Sequence, residues 1–224
     1  HPLKQNSSKY PNLKIKGIKL NSNEITKGDL FVAISGNKVD GHSFIDKAIE
    51  SGASAVITNN QYFNKLPVPQ IKVTNSRIAV SKIASEFYDH PSKKLKIIGI
   101  TGTNGKTTTA SLIYSILKEE GFKVAQFGTL GIKTNKTILK NSLTTPDAIT
   151  LHKTFAFLKR KKFTHVVMEV SSHALDQHRV DDVDFNLAIF TNLSEEHLDY
   201  HKNIDNYYLA KSKLFKILSD DAIS

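Results

Sequence analysis

The run Gly102-Thr103-Asn104-Gly105-Lys106-Thr107-Thr108 brings together the groups that hold a nucleotide's phosphates. Glycines let successive backbone N–H groups turn toward an anion, and a helix start adds its dipole. A lysine followed by a hydroxyl residue then reaches phosphate oxygens and Mg²⁺. The run lies between an apolar stretch, 95–100, and an amphipathic stretch that ends at Gly121, which is the strand–turn–helix setting such a cradle requires. It is shorter than the usual eight-residue pattern, because Ile100 stands where the first glycine would be. An ordinary Gly-rich turn is the plainer alternative; the Lys-Thr-Thr tail and the two flanks favour phosphate binding.

Other residues carry weaker signals. Glu169 ends an apolar run, 164–170, and open α/β sheets place their ligands at such strand ends. Taken alone it reads better as a strand-end surface carboxylate. The sequence has nine histidines, and most must be surface or packing residues, so His197 by position alone is a weak ligand candidate. Ser171-Ser172-His173 is no serine-hydrolase site, since no G-x-S-x-G elbow is present. Lys211 differs. At about 100° per residue, Ile204, Tyr207, Tyr208, Leu214, Phe215 and Leu218 share one helical stripe with Lys211 at its middle, and Lys213 falls on the opposite face. A lysine pointed into an apolar face must snorkel outward or change its charge state.

The elements that must position these residues read as two α/β units, 1–90 and 91–224. In the first, strands are expected at 30–34, 55–57 and 70–74, with helices at 43–50 (Gly52 closing it) and 76–88. The polar, proline-containing stretch 89–94 marks the boundary. In the second, strands at 95–100, 123–127, 164–170 and 185–191 alternate with helices, and 131–139 reads as a hairpin. Thr145-Pro146-Asp147 opens a helix with Thr145 as cap, and a last helix covers 205–218. Alternating strands and helices imply a mostly parallel, doubly wound sheet in a P-loop domain that follows a smaller α/β domain.

Composition bounds the partners. With 224 residues, 39% hydrophobic and 23% charged, the chain has enough material for two small cores and the balance of a globular protein. The net charge of +10 favours anionic partners, but the lysines are dispersed and no nucleic-acid motif accompanies them, so nucleic acid is not expected. No apolar run is long enough for a bilayer, no secretory signal opens the sequence, and there is no cysteine, which together fit a cytoplasmic protein without membrane insertion. His1 is not an initiator and the sequence stops just after a helical pattern, so both ends read as cut.

The shortened loop resembles the ATP site shared by Mur ligases and folylpolyglutamate synthetases. Thr144-Thr145-Pro146-Asp147, Glu169-Val170-Ser171-Ser172-His173, Gln177-His178-Arg179-Val180, the run Thr191-Asn192-Leu193-Ser194-Glu195-Glu196-His197-Leu198-Asp199-Tyr200-His201, and Tyr208-Leu209-Ala210-Lys211-Ser212-Lys213-Leu214-Phe215 resemble the MurE type in kind and order. Leu20-Asn21-Ser22, Gly28-Asp29-Leu30-Phe31-Val32-Ala33 and Asp40-Gly41 agree in the first unit, so the resemblance spans nearly the whole chain.

The resemblance implies an ATP-dependent, Mg²⁺-requiring ligase of peptidoglycan precursor synthesis. Such an enzyme activates UDP-N-acetylmuramoyl-L-alanyl-D-glutamate as an acyl phosphate for attack by meso-diaminopimelate or L-lysine. It assigns Gly102, Thr103, Asn104, Gly105, Lys106, Thr107 and Thr108 to ATP, and Lys106, Glu169, His197 and Lys211 to catalysis. The metal would be held by Thr107, Glu169, His197 and Lys211, the last as a carbamate. Leu20, Ser22, Asn37, Lys38, Val39, Thr144, Thr145, Ser171, Gln177 and Arg179 would meet the substrate. One departure touches the uridine end: Asn21-Ser22-Asn23 stands where the family often has Asp-Ser-Arg. The resemblance also implies a monomer, a central domain cut short, and a C-terminal domain that is missing and would select the incoming amino acid. Two rivals are a folylpolyglutamate synthetase-like ligase, which lacks this first unit and the Glu-Val-Ser-Ser-His run, and a P-loop binding module without ligase chemistry.

Overall fold

The computed structural model describes residues 13–36, 39–59, 65–134, 138–139, 143–218 and 222–223. The chain divides into two compact units, residues 1–80 and 81–224, and the division falls inside a helix that precedes the polar 89–94 stretch.

In the first unit, β1 (Gly17–Lys19), β2 (Asp29–Val32), β3 (Ala55–Asn59) and β4 (Gln70–Val73) form one parallel sheet in that order. Parallel strands are covered on both faces, and all four residues of β2 are accordingly buried. Phe31, Ala33 and Val56 pack with Ile45 and Ala48 of α1 (Ile45–Glu50) to make the core on one side. The helix expected over 43–50 is a 3-10 turn, Gly41–Phe44, running into α1. Its Asp40 cap accepts from His42 N, and Phe44 at the end of the turn is exposed. After β4, Asn75 Oδ1 accepts from the Arg77 and Ile78 amides at 2.9 and 3.3 Å and starts α2 (Ser76–Phe87).

The second unit contains β5 (Lys96–Thr101), α3 (Lys106–Glu119), β6 (Val124–Gly128), β7 (Gly131–Lys133), β8 (Ile138–Leu139), α4 (Ala148–Arg160), β9 (His165–Glu169), α5 (Ser172–Asp176), β10 (Leu187–Phe190), α6 (Leu198–His201) and α7 (Ile204–Lys216). The sheet order is β10-β5-β9-β6-β7-β8, parallel through β6 and antiparallel at β7 and β8, so the expected hairpin forms. Alternation along the strands sorts the side chains by face. Ile97, Ala125, Phe127, Val166 and Met168 pack with Leu151, Phe155 and Leu158 of α4 and Leu214 of α7. Ile100, Val124 and Val167 pack with Ala110 and Tyr114 of α3 on the other face. Glu169 has the parity of Val167 and therefore points toward α3, which places a carboxylate beside the helix that follows the phosphate-type loop.

One expectation is corrected. The cap of α4 is Asp147, whose carboxylate accepts from the Thr150 amide at 3.0 Å, and neither Thr145 nor Pro146 is helical. Thr145 is unable to cap because its hydroxyl is bonded to the Glu169 carbonyl at 2.9 Å and accepts from the Ser171 amide at 3.0 Å. At the free edge of β10, Leu187 forms a parallel bridge with Ile223, whose amide donates to Asn186 O at 3.0 Å. Among the described residues no helix is long and apolar enough to cross a membrane.

Candidate active site

The loop from 102 to 105 connects β5 to α3 through two left-handed glycines, Gly102 at φ +142° and Gly105 at φ +81°. A Cβ at Gly102 would run into the Thr191 hydroxyl and the Asn192 backbone, so the position requires glycine on both counts. Residues after β10 hold the loop. The Thr103 and Asn104 amides donate to Asn192 O and Asn192 Oδ1, both at 2.9 Å, and the Thr191 hydroxyl donates to Asn104 O at 2.6 Å. The Thr103 hydroxyl accepts from the Ser194 amide at 3.0 Å and lies 3.3 Å from the Tyr207 hydroxyl. Lys106 opens α3 and folds its Nζ back on Gly102 O and Thr103 O at 2.8 and 2.6 Å. Asn104, Gly105 and Thr108 are exposed, and Lys106 and Thr107 half-buried, so this rim is open to a ligand.

Beside the loop, Thr107 Oγ1 donates to Glu169 Oε2 at 2.9 Å. Glu169 is 1% exposed and also receives the Thr129 amide on Oε1 at 3.3 Å and the Thr129 hydroxyl on Oε2 at 3.4 Å. Gly128 is glycine because any Cβ there would meet this carboxylate. Among the described residues no Lys or Arg pairs with Glu169. A buried carboxylate met only by hydroxyls and an amide, next to a hydroxyl at a helix start, has the hard-oxygen chemistry of a Mg²⁺ ligand. Among those residues, no three His, Cys, Asp or Glu side chains converge enough to enclose a metal. That suits Mg²⁺, which takes few protein ligands and fills its octahedron with phosphate oxygens and water.

Lys211, on α7, also reaches the loop. It is 1% exposed, its Nζ donates to Gly102 O at 2.7 Å, and it lies 4.3 Å over the Tyr207 ring. Burial, reinforced by the Lys106 charge and opposed by Glu196, brings its pKa down to about 7. Of the expected stripe, Tyr207, Lys211 and Leu214 are buried, Ile204, Phe215 and Leu218 are partly buried, and Tyr208 is 51% exposed. Lys213, expected on the opposite face, is tied to Asp176 Oδ1 at 2.9 Å.

His197 caps α6 in a left-handed conformation. Its ring lies 4.8 Å from His173 and 6.2 Å from Tyr207, centroid to centroid, and its Nε2 is 3.7 Å from Glu196. It shares no hydrogen bond with Thr107 or Glu169 among the described residues.

A third group surrounds Thr145, which is fully buried. Arg179 Nη1 donates to Thr145 O at 3.0 Å and Nη2 to Gln177 Oε1 at 2.6 Å. Thr144 Oγ1 lies 3.3 Å from Thr129 Oγ1, which ties this group to Glu169. Ser171 caps α5 by accepting from the Ala174 amide at 3.2 Å. Reading the sequence did not single out Thr129, Asn192, Ser194, Asp176 or Tyr200. Four of the five lie inside or beside runs already picked out for other residues, and Thr129 follows Gly128 with no motif of its own.

In the first unit, Leu20 follows β1, and Ser22, 5% exposed, begins a 3-10 turn capped by Asn21. Val39 is 57% exposed; Asn37 and Lys38 lie outside the described residues.

Residues 100–224 match the Mur ligase middle domain, and residues 14–88 match the Mur ligase family catalytic domain. The chain belongs to the Mur ligase family. It is 49% identical over 202 residues to the UDP-N-acetylmuramoyl-L-alanyl-D-glutamate–2,6-diaminopimelate ligase of Aquifex aeolicus, covering 90% of this chain and 42% of that protein. The enzyme of the same name from Syntrophomonas wolfei is 42% identical over 208 residues, or 93% and 42%. Among solved structures, a UDP-N-acetylmuramoyl-L-alanyl-D-glutamate–2,6-diaminopimelate ligase matches 92% of this chain and 42% of its own, with a TM-score of 0.77 and 27% identity. MurF of Thermotoga maritima in complex with ADP matches 94% and 45%, with a TM-score of 0.62 and 25% identity. The chain therefore spans about two fifths of the length of the Mur ligases it matches.

Proposed function

We propose that this Mur ligase chain is the ATP- and UDP-substrate-binding part of a MurE-type enzyme. That enzyme would use ATP to join 2,6-diaminopimelate to UDP-N-acetylmuramoyl-L-alanyl-D-glutamate. The observation that carries the reading is the pairing of Thr107 with the buried Glu169 beside the loop that leads into Lys106 at the start of α3. The names of the relatives supply the substrates.

Each residue then has a task that follows from its position. Backbone amides near the exposed Asn104 and Gly105 face the β-phosphate, and Lys106 exchanges its two loop carbonyls for phosphate oxygens. Thr107 and Glu169 would hold Mg²⁺, which would neutralise charge on the transferring phosphoryl group. His197 and Lys211, the latter as a carbamate, would serve a second Mg²⁺. Arg179 and Gln177 meet the anionic dipeptide, with Thr144 and Ser171 beside them and Thr145 fixing Arg179 from behind. The γ-phosphoryl passes to the glutamyl carboxylate, and the incoming amine displaces phosphate from the acyl phosphate. Leu20, Ser22, Asn37, Lys38 and Val39 take the uridine end.

The test uses the full-length protein. ADP and phosphate release should require the UDP-linked dipeptide and 2,6-diaminopimelate together. Release with a folate substrate, or release indifferent to any amino acid, refutes the reading; turnover with L-lysine instead keeps the ligase and corrects the acceptor.

A further inference from the structure

The hydrogen bonds around Tyr200 can run in only one direction. At one end stands Asp176, the last residue of α5; at the other stands Arg179. A carboxylate only accepts and a guanidinium only donates. Burial works against the ionised Asp176, but the bonds from Lys213 and Tyr200 outweigh it and keep the carboxyl below its usual range. Between these ends, the Tyr200 hydroxyl donates to Asp176 Oδ2 at 3.0 Å, Gln177 Nε2 donates to the Tyr200 oxygen at 3.3 Å, and Arg179 Nη2 donates to Gln177 Oε1 at 2.6 Å.

Fixed polarity at both ends determines the middle. Tyr200 has one proton, and Asp176 takes it, so its lone pair faces Gln177. The Gln177 amide must then turn its nitrogen to Tyr200 and its oxygen to Arg179, because the flipped amide would set N–H against the guanidinium. The phenol cannot drift, since its ring lies 4.3 Å from His173 and 4.8 Å from His201, centroid to centroid. Beyond Asp176 the chain of bonds reaches Lys213 on α7 at 2.9 Å, and beyond Arg179 it reaches Thr145 O at 3.0 Å.

We propose that Tyr200 is a positioning residue that orients Gln177 and Arg179 toward the anionic substrate and links that pair, through Asp176 and Lys213, to the helix that carries Lys211. The inference rests on the reading that Gln177 and Arg179 meet the UDP-linked dipeptide. Tyr200→Phe keeps the ring and its packing but removes both hydrogen bonds, so Gln177 Nε2 loses its Tyr200 partner and the link from Gln177 and Arg179 to Asp176 is cut.

In the full-length ligase, Tyr200→Phe should raise KM for the UDP-linked dipeptide about tenfold, the loss expected when a hydrogen bond supporting a charged group is removed. The kcat and the KM for ATP should stay within about twofold, because the ring that packs against the neighbouring histidines remains. An unchanged KM overturns the proposal. So does a fall in kcat with an equal rise in both KM values and a lowered Tm, which would mark a purely structural residue. A crystal structure of the full-length Tyr200→Phe protein gives a readout independent of turnover: Gln177 still bonded to Arg179 in the present geometry overturns the proposal, and a displaced Gln177 side chain or guanidinium supports it. If the unmodified enzyme does not use the UDP-linked dipeptide, the functional reading fails, and that structure alone still decides the role of Tyr200.

Discussion

Lys211 Nζ donates a 2.7 Å hydrogen bond to the carbonyl oxygen of Gly102, so a lysine of α7 is joined to the residue that opens the phosphate-type loop. Two lysines meet that carbonyl, since Lys106 Nζ reaches it at 2.8 Å. Their mutual repulsion adds to burial in drawing Lys211 down to about 7. Near neutral pH about half of such a group is the free amine, the form that adds CO₂. Lys211→Ala in the full-length enzyme should lose activity at least a hundredfold, and added formate or acetate should restore part of it. Full activity in the alanine variant, or clear density for an unmodified Lys211 with ATP and Mg²⁺ bound, would refute a carbamate role.

Glu169→Gln should reduce turnover at least a hundredfold, about 3 kcal/mol of lost phosphoryl stabilisation. The amide is isosteric and keeps an oxygen for Thr107, but its NH2 then meets the Thr129 amide, so the thermal midpoint should fall modestly while the fold survives. The concentration of Mg²⁺ giving half-maximal activity should rise together with the loss. A Mg²⁺ dependence like that of the parent enzyme would mean that Glu169 is structural.

Lys106→Ala should abolish turnover while leaving the fold intact. The bonds it loses go to loop carbonyls at a half-open rim, where water replaces them. Circular dichroism melting and ADP formation, measured side by side, separate the two effects. Near-normal turnover would show that the loop is structural only.

His152 predicts an acid-sensitive step in stability. It is fully buried on α4, and neither ring nitrogen has a partner among the described residues. Burial lowers its pKa to about 4 from 6.5, slightly opposed by Asp184 and aided by His90. The unfolded chain therefore binds the proton first as pH falls. Stability from this group is complete above pH 6.5 and is lost on descent toward pH 4, up to about 3 kcal/mol. His152→Leu should flatten the urea-denaturation midpoint over that window. A parent protein equally stable at pH 7 and pH 4.5 would contradict the assignment.

Much of this was legible in the sequence because it is local. The phosphate-type loop needs glycines at two left-handed positions and a lysine and threonine at a helix start, all within seven residues. The buried strands read as apolar runs because a parallel sheet covers both faces, and helical periodicity placed Lys211 on an apolar stripe while leaving open whether it snorkels outward; the structure buries it. The cap of α4 was misread for a non-local reason: Thr145 has good capping chemistry, but Glu169 O and Ser171 N, two dozen residues away, already engage its hydroxyl.

The sequence by itself determined which residue types stand at strand ends and helix starts, since backbone conformation and side-chain periodicity depend on near neighbours. Only the tertiary structure decided what those residues meet. It set Thr129 on Glu169, the 191–194 segment on the loop, and Tyr200 between Asp176 and Gln177. Hydrogen bonds act over about 3 Å, and which groups come that close is settled by how strands pair and helices pack, over separations that no local pattern records.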